Sequence, residues 1–152
     1  MARTHISCVI DAPVHELWKT IRPFDSLPAW HPHVATCIVE DQQPADRVGC
    51  VRRIRQHTGG IVVETLLALS DLERRIVYDI VESPMPVQNY VATLTLHEVT
   101  EGNKTFAFWS VEFDTPDTQR ERMITLLQDV FRSGLLKLND LLNERQPSTA
   151  SS

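Results

Sequence analysis

No stretch of this sequence approaches the ~20 apolar residues that cross a bilayer as a helix. Met1 to Cys8 holds no apolar run of signal-peptide length either. A cytoplasmic protein without an integral membrane segment is the expectation. Cysteine is scarce: Cys8, Cys37 and Cys50 are scattered among apolar, strand-like residues and suggest no disulfide framework. They read as small buried hydrophobes in a reducing compartment. Positive charge is thin as well. Lys and Arg number 15 against 20 Asp and Glu, a net −5, and the Arg-rich spots (Arg52, Arg53, Arg55; Arg74, Arg75) are short. That balance argues against nucleic acid or an anionic membrane as partner. Catalytic signatures are missing too: there is no G-x-S-x-G, no G-x-G-x-x-G and no P-loop. His31-x-His33 with Cys37 lacks any zinc spacing, so neither a metal nor a cofactor is expected.

What is present suits one domain with one core: 152 residues, 42% of them hydrophobic. Arg3 to Ile10 alternates like a strand, with Ile6, Cys8 and Ile10 on one face. Asp11-Ala-Pro13 reads as a helix start, with Asp11 as cap, and Val14, Leu17, Trp18 and Ile21 follow at helical spacing. Pro23, Pro28 and Pro32 break the next stretch into short pieces. From Val34 to Asp114 the pattern is strands and tight turns: Val34–Glu40, Val48–Gln56, Ile61–Leu69, Arg75–Glu82, Val87–Val99 and Thr105–Asp114. Thr58-Gly59-Gly60 and Glu101-Gly102-Asn103 are hairpin signals. From Pro116 to about Arg145 the period changes to 3.6. Ile124, Leu127, Phe131, Leu135, Leu138 and Leu142 form a stripe, widened by Met123, Val130 and Leu141. Thr115 reads as the cap of this helix, with Pro116 at its first position. Residues 146–152 read as a disordered polar tail.

Strand, helical segment, consecutive antiparallel strands and one long helix make an α+β architecture of about seven strands. The long helix must bury its stripe, and the sheet is the only large partner. Side chains alternate along a strand and paired residues share a face. Centring the first hairpin on Gly59 puts Arg52 and Ile54 on one face with Glu64, Leu66 and Ala68. Successive turns carry that face to Ile76, Tyr78 and Ile80, then to Tyr90, Ala92, Leu94 and Leu96, and finally to Ala107, Trp109, Val111 and Phe113. An apolar face with a few polar members is the composition of a ligand pocket. Arg52 and Glu64 read as diagonal neighbours, either an ion pair or ligand-orienting groups. The opposite face is polar (Asn89, Thr93, Thr95, His97, Ser110, Glu112), apart from Phe106 and Phe108.

The order and spacing of several pieces resemble the polyketide cyclase/dehydrase and lipid-transport family. They are Trp18; Phe24-Asp-Ser-Leu-Pro-Ala-Trp30-His31-Pro32; Val48-Gly-Cys-Val-Arg52; Glu64-Thr-Leu-Leu67; and Glu73-Arg-Arg75. Tyr78-Asp-Ile80, Glu82-Ser-Pro-Met-Pro-Val87 with Asn89-Tyr90, Trp109-Ser-Val-Glu-Phe113, and Phe131-Arg-Ser-Gly-Leu135 complete the set. That family is grouped with START domains, the birch pollen allergen and plant abscisic-acid receptors in the SRPBCC superfamily. The resemblance implies a helix-grip fold, with a cavity between sheet and long helix. It also implies that Gly59-Gly60 could gate that cavity, as in the hormone receptors. Members bind lipids, hormones or polyketides, and a few catalyse cyclisation, dehydration or condensation, so fold alone does not name an activity.

Three functions remain open. The first is a binding protein for a small hydrophobic molecule: a lipid, polyketide or aromatic metabolite. Its ligand residues are expected to be Trp30, Arg52, Glu64, Leu66, Tyr78, Tyr90, Trp109, Phe113, Leu127, Phe131 and Gly134. Gly134 costs helix stability, so a close approach to the sheet or to a ligand is expected there. The second is a cyclase or dehydratase with Glu64 as acid/base and Tyr78 or Tyr90 holding an enolate oxygen. His31 and His33 are weaker candidate bases, read first as helix-capping or solvent-facing. The third is a protein-interaction module; a homodimer is left open.

Overall fold

The computed structural model describes residues 1–145. The tail 146–152 lies outside the described residues, and its expected disorder with it. The chain runs β1 (Ala2–Ile10), α1 (Val14–Ile21), α2 (Leu27–Trp30), β2 (Val34–Val39), β3 (Val51–Gln56), β4 (Ile61–Ser70) and β5 (Arg75–Glu82). It continues with β6 (Gln88–Val99), β7 (Lys104–Asp114) and α3 (Arg120–Arg145). All seven strands join one antiparallel sheet in the order β1-β7-β6-β5-β4-β3-β2. This is the helix-grip arrangement, with the long helix on the inner face of a curved sheet.

The helix is held by burial rather than propensity. Met123, Leu127, Phe131, Leu135, Leu138 and Leu142 are buried against the sheet, and each contributes roughly 1.5–3 kcal/mol. Ile124, expected at the head of that stripe, is only partly buried, and Met123 takes its place. Neither expected helix cap forms. The Asp11 side chain does not cap α1; instead its backbone N–H donates to Asn139 Oδ1 at 3.1 Å, tying the β1–α1 corner to α3. The Thr115 hydroxyl donates to the Pro86 carbonyl at 2.7 Å. A 3-10 turn, Asp117–Gln119, then precedes α3.

Register follows the hairpins with several corrections. Arg52 pairs directly with Glu64, not diagonally as expected, and Ile54 with Val62, because the first hairpin is centred on Thr58 rather than Gly59. A bulge between Leu66 and Ala68 then shifts the pairing by one residue. It places Leu69, opposite Ile76, against the core where alternation expects Ala68. This is the local inversion that one extra residue imposes on a period of two. Strand β3 also starts later than expected, because Gly49 has φ +95° and turns the chain before Val51. Beyond these points the expected inner residues of β5, β6 and β7 face the core, Ile80 only partly buried. Phe106 and Phe108 lie on the outer face, half-buried, with His5 stacked on Phe108 at a centroid distance of 4.9 Å.

The up-and-down order of strands gives the fold two different ends. The β4–β5 turn and α1 close one of them. Trp18 Nε1 donates to Asp71 Oδ1 at 2.8 Å, and Arg22 Nε donates to the same oxygen at 2.6 Å. At the other end lie the β3–β4 turn, the β5–β6 turn and the passage from β7 into α3. There the grip opens.

Candidate functional site

A cavity of about 760 Å³ opens between α3 and the sheet, within the range of small-molecule sites. Strand pairing builds its floor. Glu64 on β4 is flanked by Arg52 on β3 and Ile80 on β5, while Tyr78 lies one inward step along β5. Tyr90 and Trp109 come from β6 and β7, and Met123, Leu127 and Phe131 from α3 form the roof.

The Arg52–Glu64 pair is almost completely buried, each residue 6% exposed. Arg52 Nε donates to Glu64 Oε1 at 2.8 Å, and Nη2 lies 2.6 Å from the same oxygen. Arg52 Nη1 donates to the Phe24 carbonyl at 2.8 Å. The guanidinium also stacks over the Phe24 ring, 3.8 Å from its centroid, and lies 4.9 Å from that of Tyr78. A buried charge needs such partners, and the direct pairing supplies the first of them. Glu64 Oε2 is different. It accepts from no described residue, and no buried side-chain oxygen among the described residues is left without a partner. Oε2 therefore opens onto the cavity, in whose wall Glu64 lies. Burial raises the Glu64 carboxyl above its ordinary pKa, and the Arg52 charge and hydrogen bond oppose that rise.

The tyrosines form a second polar group. Trp109 Nε1 donates to the Tyr78 hydroxyl at 3.0 Å, and the Tyr90 hydroxyl interacts with that of Tyr78. Burial pushes both phenols above their usual range.

His31 is not solvent-facing, the reading placed first for it; it is 5% exposed and lies in the cavity wall. Its Nε2–H donates to the Val130 carbonyl of α3 at 2.9 Å, and its Nδ1 accepts from the His33 N–H at 3.2 Å. Burial is the main reason its pKa falls to about 4, with His33 and Arg52 adding to the fall. The ring is thus neutral, fixed in one tautomer and occupied at both nitrogens. The glycine at 134 makes room for it. A Cβ there would stand 2.8 Å from His31 Cδ2 and 3.2 Å from Trp109 Cζ3. The close approach expected of Gly134 is therefore made by two rings of the protein itself.

Of the residues singled out in the sequence, Arg52, Glu64, Tyr78, Tyr90, Trp109, Leu127 and Phe131 lie in the cavity wall. Trp30, Leu66, Phe113 and Gly134 do not. Trp30 stands behind the wall, its ring 5.7 Å from that of Trp109, and Phe113 lies 6.5 Å from Tyr90. Leu66 pairs with Tyr78 and fills the core. Apart from the Gly59-Gly60 turn offered as a gate, sequence reasoning missed the residues of the mouth: Gln56, the Ser83–Pro86 turn, Gln119, Arg122 and Leu126. Strand order held the signal for it. Successive antiparallel strands bring alternate turns to one end, so the turns after β3, β5 and β7 meet there.

Comparison with known proteins agrees with this geometry. Residues 1–143 match the family model described as polyketide cyclase/dehydrase and lipid transport. The chain is 28% identical over 143 residues to abscisic acid receptor PYL10 of Arabidopsis thaliana, covering 90% of this chain and 77% of the receptor. Among solved structures, XoxI from Bacillus cereus superposes with a TM-score of 0.86 at 30% identity, covering 95% of this chain and 98% of that one. A protein from Nitrosospira multiformis superposes with a TM-score of 0.81 at 31% identity, covering 95% of this chain and 100% of that one. A whole-length family match, the helix-grip sheet and the pocket beneath its helix together place the chain in the polyketide cyclase/dehydrase and lipid-transport family.

Proposed function

We propose that this protein binds a small hydrophobic molecule (a lipid, polyketide or aromatic metabolite) in the cavity between sheet and α3. The observation that carries this reading is the cavity itself: about 760 Å³ inside one domain, open at one end. An empty space of that size costs packing energy, and a ligand would restore the lost contacts. The abscisic acid receptor among its relatives supports the same use of the fold. No helix among the described residues is long and apolar enough to cross a membrane. Thermal-shift measurements with long-chain alcohols, fatty acids and aromatic compounds test the reading. A ligand at 100 times its Kd stabilises by about 2.7 kcal/mol, so at least one class is expected to raise the Tm by several degrees. No shift with any class sinks the proposal.

Glu64 supports a second reading, a cyclase or dehydratase. General acid–base catalysis needs a group that gives and takes a proton near the working pH. Tyr78 and His31 are shifted away from neutrality. Glu64 is shifted towards it and keeps one oxygen open to the cavity. Its test is exchange of the α-protons of a β-diketone in deuterated water, followed by NMR. Wild type is expected to accelerate exchange and Glu64→Gln to lose that acceleration with its circular dichroism unchanged. Equal exchange in the two proteins removes Glu64 as the acid/base.

A further inference from the structure

Much of the hydrogen-bonding capacity at the cavity floor is used within the protein. Trp109 Nε1 is committed to Tyr78, and both His31 nitrogens are committed to backbone. Arg52 is the cation at the floor, and its charge is already met by Glu64 at 2.6 Å. The other arginine of the wall, Arg122, is exposed near the start of α3, at the mouth. What the floor still offers a ligand is an acceptor, Glu64 Oε2, beside the tyrosine hydroxyls and the two remaining N–H groups of Arg52, whose charge Glu64 already balances.

From this inventory we infer that the cavity selects an uncharged ligand carrying a hydroxyl, which enters hydroxyl first and donates to Glu64 Oε2. The inference rests on the binding function proposed above and narrows its ligand class. A hydroxyl is matched because it donates and accepts: its proton meets the carboxylate and its oxygen can accept from a tyrosine O–H. A carboxylate is mismatched. Placed head-in, it brings a second negative charge against Glu64, with one buried cation between two anions and little water to screen them. A purely apolar ligand is mismatched in the other direction. It fills the space but takes Oε2 away from water without giving it a donor, and a buried acceptor left unpaired is costly.

Three ligands on one scaffold separate these cases: 4-phenylphenol, 4-methylbiphenyl and biphenyl-4-carboxylate, titrated by calorimetry into the whole protein at pH 7. The phenol is expected to bind about tenfold or more tighter than the methyl compound, the range of a hydrogen bond to a charged partner. The carboxylate is expected to bind weakest. Glu64→Gln removes the negative charge and leaves Arg52 without its counterion, so in that variant the carboxylate is expected to overtake the phenol. A carboxylate that equals or beats the phenol in wild type overturns the inference and leaves the cavity-binding function standing. So does a phenol no tighter than the methyl compound. Failure of all three to bind overturns the hydroxyl inference together with the aromatic-ligand reading beneath it. Should Glu64→Gln fail to fold by circular dichroism, the wild-type ranking decides alone.

Discussion

Arg52→Met is expected to destabilise the protein by about 3–5 kcal/mol, because it leaves the Glu64 carboxylate buried without a counterion. At the usual sensitivity of a domain of this size, that loss lowers the Tm by roughly 10 °C or more. The cost has identifiable parts. The variant loses the Nε bond to Oε1, the Nη1 bond to the Phe24 carbonyl and the stacking on the Phe24 ring. It also removes the influence that holds the raised Glu64 pKa down, so the carboxyl takes up a proton more readily. A group whose folded pKa lies above its unfolded value adds stability below the unfolded pKa and loses it as pH rises. The deficit of Arg52→Met relative to wild type should therefore shrink as pH falls. Replacing both partners, as in Arg52→Met with Glu64→Leu, removes the orphaned charge and should recover most of the loss. Urea unfolding of the two single variants and the double variant gives the coupling directly. Single variants within about 1 kcal/mol of wild type, or a double variant as unstable as the sum of the singles, would show that the pair holds nothing.

Acid should destabilise the protein through His31. The ring is buried between the α2–β2 connection and α3, and its pKa falls from 6.5 in an unperturbed imidazole to about 4. As pH drops, the unfolded chain takes up this proton near 6.5, whereas the folded chain takes it up only near 4. The stabilising contribution is thus complete above the first value and is lost progressively down to the second. The difference between the two values corresponds to about 3 kcal/mol. Protonation also cancels the acceptor at Nδ1, so the His33 N–H loses its partner. His31→Gln has no such titration. Its stability gap to wild type should be widest at neutral pH and close as pH approaches 4. Chemical unfolding at a series of pH values measures the gap, and parallel pH profiles for the two proteins would rule out His31 as the titrating group.

These two residues bear on function because both sit where α3 and the sheet meet around the cavity. The Arg52–Glu64 pair fixes the floor and leaves one oxygen facing inward. His31 bonds the Val130 carbonyl of α3, whose neighbours Leu127 and Phe131 form the roof. Neither residue is spare polarity in an apolar core: each has its partners, and each sets part of the shape a ligand meets.

Much of the architecture was legible in the sequence because it follows from short-range rules. Alternation with a period of two, linked through tight turns, carried one inner face from Arg52 through Tyr78 and Tyr90 to Trp109 and Phe113. A period of 3.6 marked the helix stripe from Leu127 to Leu142. These patterns persist along the chain because a strand or helix repeats its geometry at every residue. What they could not determine is where the repeat breaks and where separate segments converge. The bulge after Leu66 put Leu69 in the place expected of Ala68, and the caps expected of Asp11 and Thr115 gave way to contacts with Asn139 and Pro86. His31 acquired its partner from a residue 99 positions away. The division of the inner face into cavity wall and packed core depended on where α3 crosses the curved sheet. Composition and order therefore determined that this protein grips a helix against a mostly apolar inner face. Only the tertiary structure decided that the grip stays open at one end, with Glu64 Oε2 at its floor, because that depends on long-range packing rather than on a repeating pattern.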